Sequence, residues 1–89
     1  MISHITPRFR KLFKELPAEV QQTAKKNYTL WKSNPNHPSL DFKQAHTRRA
    51  IYSMKIGMGW RVLGTIEGDA ITWFWIGSHN DYDKLLKQL

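Results

Sequence analysis

Hydrophobic positions along this 89-residue chain change their period near its middle. Phe9, Leu12, Phe13 and Leu16 recur at i, i+3, i+4 and i+7, the stripe of an amphipathic helix. Thr6 supplies a capping hydroxyl ahead of them, and Pro7 has the fixed φ that suits a first helical position. The spacing predicts a helix over 7–16. Pro17 suits the first turn of a second helix, along which Val20, Ala24 and Trp31 share one face with Tyr28 on its flank, ending near Ser33. The segment "SNPNHPS" stops it, because prolines cannot continue a helix and push their predecessors toward extended conformations.

From Leu40 onward β-formers dominate, in the runs "AIYSMKI", "WRVLGTI" and "AITWFWI", separated by "GMG" and "EGD". Glycine at those places supplies the positive φ of tight hairpins. A three-residue loop at Gly57-Met58-Gly59 sets Ile56 opposite Trp60 and Lys55 opposite Arg61. Alternation then assigns Tyr52, Met54, Ile56, Trp60 and Val62 to one face, and Ser53, Lys55, Arg61 and Thr65 to the other. The next turn leaves two registers open. A two-residue loop at Gly68-Asp69 puts Thr72, Phe74 and Ile76 on the cationic face, whereas a three-residue loop puts Trp73 and Trp75 there. The tail "NDYDKLLKQL" returns to helical spacing with Tyr82, Leu85, Leu86 and Leu89 on one side and Ser78 or Asn80 as its cap. Residues 1–5 offer a short edge strand. The expected architecture is α+β: a single domain over 1–89, with an N-terminal helical hairpin packed on an antiparallel sheet of three or four strands and a short C-terminal helix.

Composition adds a partner class. Lys and Arg outnumber Asp and Glu 14 to 7, giving a formal charge of +7 and a pI near 10.0. Such a field favours nucleic acid, an anionic surface or an acidic protein, although a net charge of roughly 2 to 8 is also ordinary for a small soluble domain. With no cysteine there is neither a disulfide framework nor a thiolate nucleophile, as suits a reducing cytoplasm. The opening "MISHITPRFRKLF" has no apolar stretch of the secretory type, and no run of about 18 apolar residues occurs, so a soluble cytoplasmic chain without a membrane partner is expected. His4, His37, His46 and His79 form no HExxH and no i, i+4 pair, so no metal is expected. P-loop, GxGxxG and GxSxG patterns are also lacking, so no nucleotide or other small-molecule cofactor is expected.

The chemistry concentrates at the end of the central hairpin. Two cations directly opposite one another, Lys55 and Arg61, repel unless an anion sits between them. His79 follows the strand adjacent to Arg61, and Tyr82 comes within one helical turn of it. A mildly basic imidazole and a phenol beside fixed cations suit phosphodiester cleavage. In that reaction a base takes the RNA 2′-hydroxyl proton, cations stabilise the charged phosphorus oxygens, and an acid protonates the leaving oxygen. His46, Arg48 and Arg49 in "QAHTRRA" are candidate phosphate contacts, and Trp60 a candidate stacking residue. Each signal also has a structural reading: His79 as a cap or surface residue, Tyr82 as the first residue of a core stripe, Lys55 and Arg61 as a solvated sheet face, Trp60 as core, and the basic loop as a solubilising segment.

The segments "NPNHPSLDFKQA", "IYSMKIGMGWRVLGTIEGD" and "WFWIGSHNDYDKLL", after a helical hairpin, resemble the RelE/ParE superfamily of bacterial toxins over nearly the whole chain. The resemblance implies metal-independent cleavage of mRNA on the ribosome by basic residues of the sheet face. Lys55 and Arg61 match the lysine and arginine that flank the central turn in RelE-type enzymes, and His79 in "GSH" matches the histidine of the "GTH" ending in YafQ-type members. Tyr82 lies near the C-terminal tyrosine or phenylalanine that stacks on or acts near the substrate in such toxins. The chain departs from RelE itself in having Ser53 in place of a second lysine, and no arginine beyond Gly77. The ParE branch shares the fold and often the arginine after the turn, and it inhibits DNA gyrase. Three functional expectations follow: an mRNA endonuclease of a toxin–antitoxin module, with Lys55, Arg61, His79 and Tyr82 as its catalytic set; a gyrase inhibitor or another non-nucleolytic, antitoxin-bound member; and a plain RNA-binding module. The toxin readings imply an acidic antitoxin that lays a helix or strand on apolar surface near Trp31 and the last helix.

Overall fold

The computed structural model describes residues 1–46 and 49–89. Strand β1 (Ile2–Ile5) leads into helices α1 (Pro7–Lys14) and α2 (Ala18–Ser33). A 3-10 turn, Pro38–Leu40, precedes the strands β2 (Lys43–Gln44), β3 (Ile51–Ile56), β4 (Trp60–Glu67) and β5 (Ala70–Ser78), and α3 (His79–Gln88) follows. The sheet runs β1-β5-β4-β3-β2, with β1 parallel to β5 and the other pairs antiparallel. The expected α+β architecture is present, with a fifth strand because the two-residue β2 is too short to leave a period in the sequence.

Thr6 caps α1, its hydroxyl accepting from the Phe9 amide at 3.0 Å, and Pro7 opens the helix. The helix ends at Lys14, two residues short of the predicted 16, because Leu16 precedes Pro17 and is thereby disfavoured in the α region. Pro17 stands at the N-cap of α2 rather than inside its first turn. These two helices cover one sheet face, where Ala24, Trp31, Met54, Ile56, Val62, Ile71, Trp73 and Ile76 are buried. Trp31 is only 3% exposed and meets the Trp73 ring edge-on at 5.3 Å, so Trp31 itself is core, and the surface beside it is that of the half-buried Tyr28 stacked on its ring.

α3 covers part of the opposite face, burying Tyr82 against Ile51, Leu63 and Trp75. The open register at β5 resolves into a mixture of both options. Glu67 pairs with Ala70 across a two-residue loop, and Gly68 at φ 60 takes the left-handed conformation that loop needs. A β-bulge then pairs Leu63 with Trp75 but Gly64 with Trp73, leaving Phe74 as the extra residue. The alternation shifts by one there, so Thr72 and Trp75 lie on the cationic face while Trp73 joins the helix-covered core. Gly64 permits this: a Cβ there would lie 2.7 Å from the Trp73 ring.

Candidate functional site

The β3–β4 turn builds the site's geometry. Gly57 and Gly59 take φ of 55 and 88, left-handed values open to glycine, and close a three-residue loop. Lys55 is thereby paired with Arg61 and Ile56 with Trp60, as the alternation requires. Lys43 pairs with Ser53 on the adjoining strand, so it shares the face of Lys55 and Arg61. The His79 amide donates to the Gly59 carbonyl at 2.7 Å, which ties the start of α3 to the same turn. Ser78 caps that helix, accepting from the Asp81 amide at 3.1 Å.

Arg61 is held from three directions. One terminal nitrogen donates to Asp41 Oδ2 at 2.8 Å and the other to Ser53 Oγ at 3.3 Å, while the guanidinium carbon lies 5.3 Å from the centre of the Tyr82 ring. Its side chain is 12% exposed, which strengthens its field relative to a freely solvated cation. Asp41 Oδ2 also lies 3.3 Å from Lys43 Nζ. The hydrogen bond from Arg61, then that from Lys43, holds the Asp41 carboxyl below its usual pKa. Asp41 reaches this place because it follows the buried Leu40, with φ 44, a left-handed value that aspartate tolerates.

His79 is half exposed at the first position of α3, with its ring stacked on Tyr82 at 5.8 Å and 19° between planes. Its Nε2 lies 3.7 Å from Asp83 Oδ2, one turn further along α3. Tyr82 itself is buried to 6% exposure and acts as the shared platform under both side chains. Lys55 is exposed and forms no ion pair with the described residues. A fixed guanidinium, a second cation and a titratable imidazole thus adjoin on one edge, an arrangement that can hold a phosphate and move a proton.

The other expected residues lie apart. Trp60 is half-buried on the helix-covered face, away from Arg61. Gln44 Nε2 donates to the His46 carbonyl at 2.8 Å and to the Arg49 carbonyl at 3.1 Å, beyond β2. Arg48 falls outside the described residues. Asp41 and Lys43 join the site without having been anticipated, since only the pairing of β2 with β3 and the sharp turn after Leu40 bring them to Arg61. Among the described residues no group of three or more His, Asp or Glu is placed to hold a metal, and no helix is long and apolar enough to cross a membrane.

No curated protein matches the sequence significantly. The fold is similar to a chain of the RelB-RelE antitoxin-toxin complex of Methanococcus jannaschii, at 16% identity over 92% of this chain and 96% of that one, with a TM-score of 0.74. It is also similar to YafQ from Escherichia coli BL21(DE3), at 12% identity, 90% and 94% coverage and a TM-score of 0.72. The isolated E. coli RelE toxin matches at 16% identity, 98% and 96% coverage and a TM-score of 0.66. A family model for the ParE-like toxin domain matches residues 18–84. The match spans both helix-covered core and site, and the chain accordingly belongs to the ParE-like toxin domain family, within the RelE/ParE superfamily of toxins.

Proposed function

We propose that this toxin cleaves mRNA on the ribosome. The observation that carries the reading is the shared support of Arg61 and His79 on one buried ring, Tyr82. Arg61, with Lys55 opposite it, stabilises the negative charge that grows on the scissile phosphate. His79 exchanges a proton at the reacting oxygens. In the full step the 2′-hydroxyl loses its proton to a base, its oxygen bonds to phosphorus, and the 5′-oxygen leaves with a proton from an acid. The products are a 2′,3′-cyclic phosphate and a 5′-hydroxyl end. Tyr82 orients the two groups, and the cations of the 43–49 segment meet the RNA backbone.

An acidic antitoxin belongs to the same reading, supported by the likeness to a RelB-RelE antitoxin-toxin complex. An apolar cleft of about 370 Å³ between β1, α1 and α2, bordered by Ile5, Phe9, Phe13 and Tyr28 with Lys25 beside it, suits a partner with apolar anchors and acidic flanks.

The test is induction of the wild-type chain and His79→Ala in a bacterial host, following growth and primer extension on abundant mRNAs. Arrest with new cleavage ends, both lost in the variant while its circular dichroism is unchanged, is the expected result. Arrest without cleavage, insensitive to the substitution, refutes the nuclease. The ParE-like family match favours gyrase inhibition as the second reading, in which the basic face grips a protein and His79 is a surface residue.

A further inference from the structure

We infer that Arg61 and Lys43 form a phosphate subsite in which the Asp41 carboxylate is a resident anion that competes with RNA for the two cations. The inference rests on the proposed action on RNA. A single oxygen, Oδ2, contacts both Arg61 Nη2 at 2.8 Å and Lys43 Nζ at 3.3 Å. One non-bridging phosphate oxygen makes the same pair of charge-assisted contacts. Arg61 is not free to follow a departing carboxylate, because Ser53, fully buried, accepts from its other terminal nitrogen and Tyr82 lies beneath it. The cation is fixed; the carboxylate is the movable partner.

Access supports the exchange. Side chains of Asp41 and Lys43 are 44% and 56% exposed, so a ligand reaches them from solvent. Asp41 is open to solvent, which screens its hold on the two cations, whereas a polyanion brings several phosphates and releases its condensed counterions, so RNA prevails over one carboxylate. The cost of displacing Asp41 appears as affinity that the protein forgoes. Removing the charge therefore strengthens anion binding, by about fivefold on the scale of exposed pairs.

Asparagine also tolerates the left-handed region, so Asp41→Asn preserves the turn at φ 44 and removes only the charge. The experiment titrates inorganic phosphate, at constant ionic strength, into the wild type, Asp41→Asn, Asp41→Asn/Lys43→Ala and Asp69→Asn. The side-chain Nε–H resonance of Arg61 reports binding. Asp69 lies in the exposed β4–β5 turn, so its substitution removes the same charge elsewhere. The expected result is about fivefold tighter phosphate binding in Asp41→Asn, abolished by adding Lys43→Ala and absent from Asp69→Asn. Equal gains in both single variants would show a bulk charge effect and overturn the inference, as would unchanged or weaker binding in Asp41→Asn. A parallel titration with a short single-stranded RNA separates the two ideas. If phosphate behaves as expected while no variant binds RNA, the subsite stands and the RNA reading falls.

Discussion

The Arg61 guanidinium lies 5.3 Å from the centre of the Tyr82 ring, joining a cation from β4 to the first turn of α3. His79 stacks on that ring as well, so one aromatic side chain sets the position of both groups to which chemistry is assigned. Tyr82 also belongs to the small core formed by Ile51, Leu63 and Trp75. Site geometry and the docking of the last helix are consequently one packing problem.

Tyr82 substitutions separate platform from phenol. Tyr82→Ala empties a buried aromatic position and is expected to cost about 3–5 kcal/mol, a large share of a small domain's stability. Tyr82→Phe keeps the ring under Arg61 and His79, and is expected to fold with near-normal stability and retain most cleavage in primer extension. Loss of cleavage in a folded Tyr82→Phe protein would make the phenol itself a proton donor.

Arg61→Lys preserves charge and discards geometry. A lysine has no planar fork to reach Asp41 and Ser53 together while lying over Tyr82. Toxicity on induction is expected to fall about tenfold, in line with a lost charge-assisted contact, while the urea midpoint moves by no more than about 1 kcal/mol equivalent. Full toxicity of Arg61→Lys would remove the guanidinium from the mechanism.

Gly77→Ala tests the floor of the site. A Cβ at Gly77 would lie 2.6 Å from Trp75 Cζ2 and 2.8 Å from Cη2, and Trp75 is held in the α3 core. Relief requires moving a rigid ring, so a loss of about 1–3 kcal/mol in urea unfolding is expected. An unchanged midpoint would mean that Trp75 yields readily and fixes nothing.

Acid should weaken the link between Asp41 and Arg61 in a defined direction. The carboxyl's folded pKa is lowered by the hydrogen bond from Arg61 and then by that from Lys43, so its stabilisation is present above the unfolded value of about 3.9 and is lost as pH falls through the lower, folded value. Because the side chain is 44% exposed, solvent screens the pair and the effect is small. Wild type and Asp41→Asn are expected to differ slightly in thermal midpoint at neutral pH and to converge in strong acid. A gap that widens as pH falls would contradict the assignment.

Local pattern determined much of this protein. Helix α1 with its Thr6 cap, the end of α2 at Ser33, the central turn and the pairing of Lys55 with Arg61 all follow from periodicity, capping and the positive φ of Gly57 and Gly59. Those features depend on residues close in sequence, so the chain itself records them. The placement of Trp73 and Trp75 on opposite faces is not recorded in this way, because it follows from the bulge at Phe74, which sends the two rings into two different cores, and neither core is visible until the sheet is assembled. Asp41 likewise meets Arg61 across 20 residues of chain, through a buried Leu40 and a left-handed turn. Sequence thus supplied the cations, the imidazole and the hairpin that aligns them; tertiary packing decided which carboxylate the arginine faces and which ring supports it, since both depend on how strands and helices far apart in the chain share space.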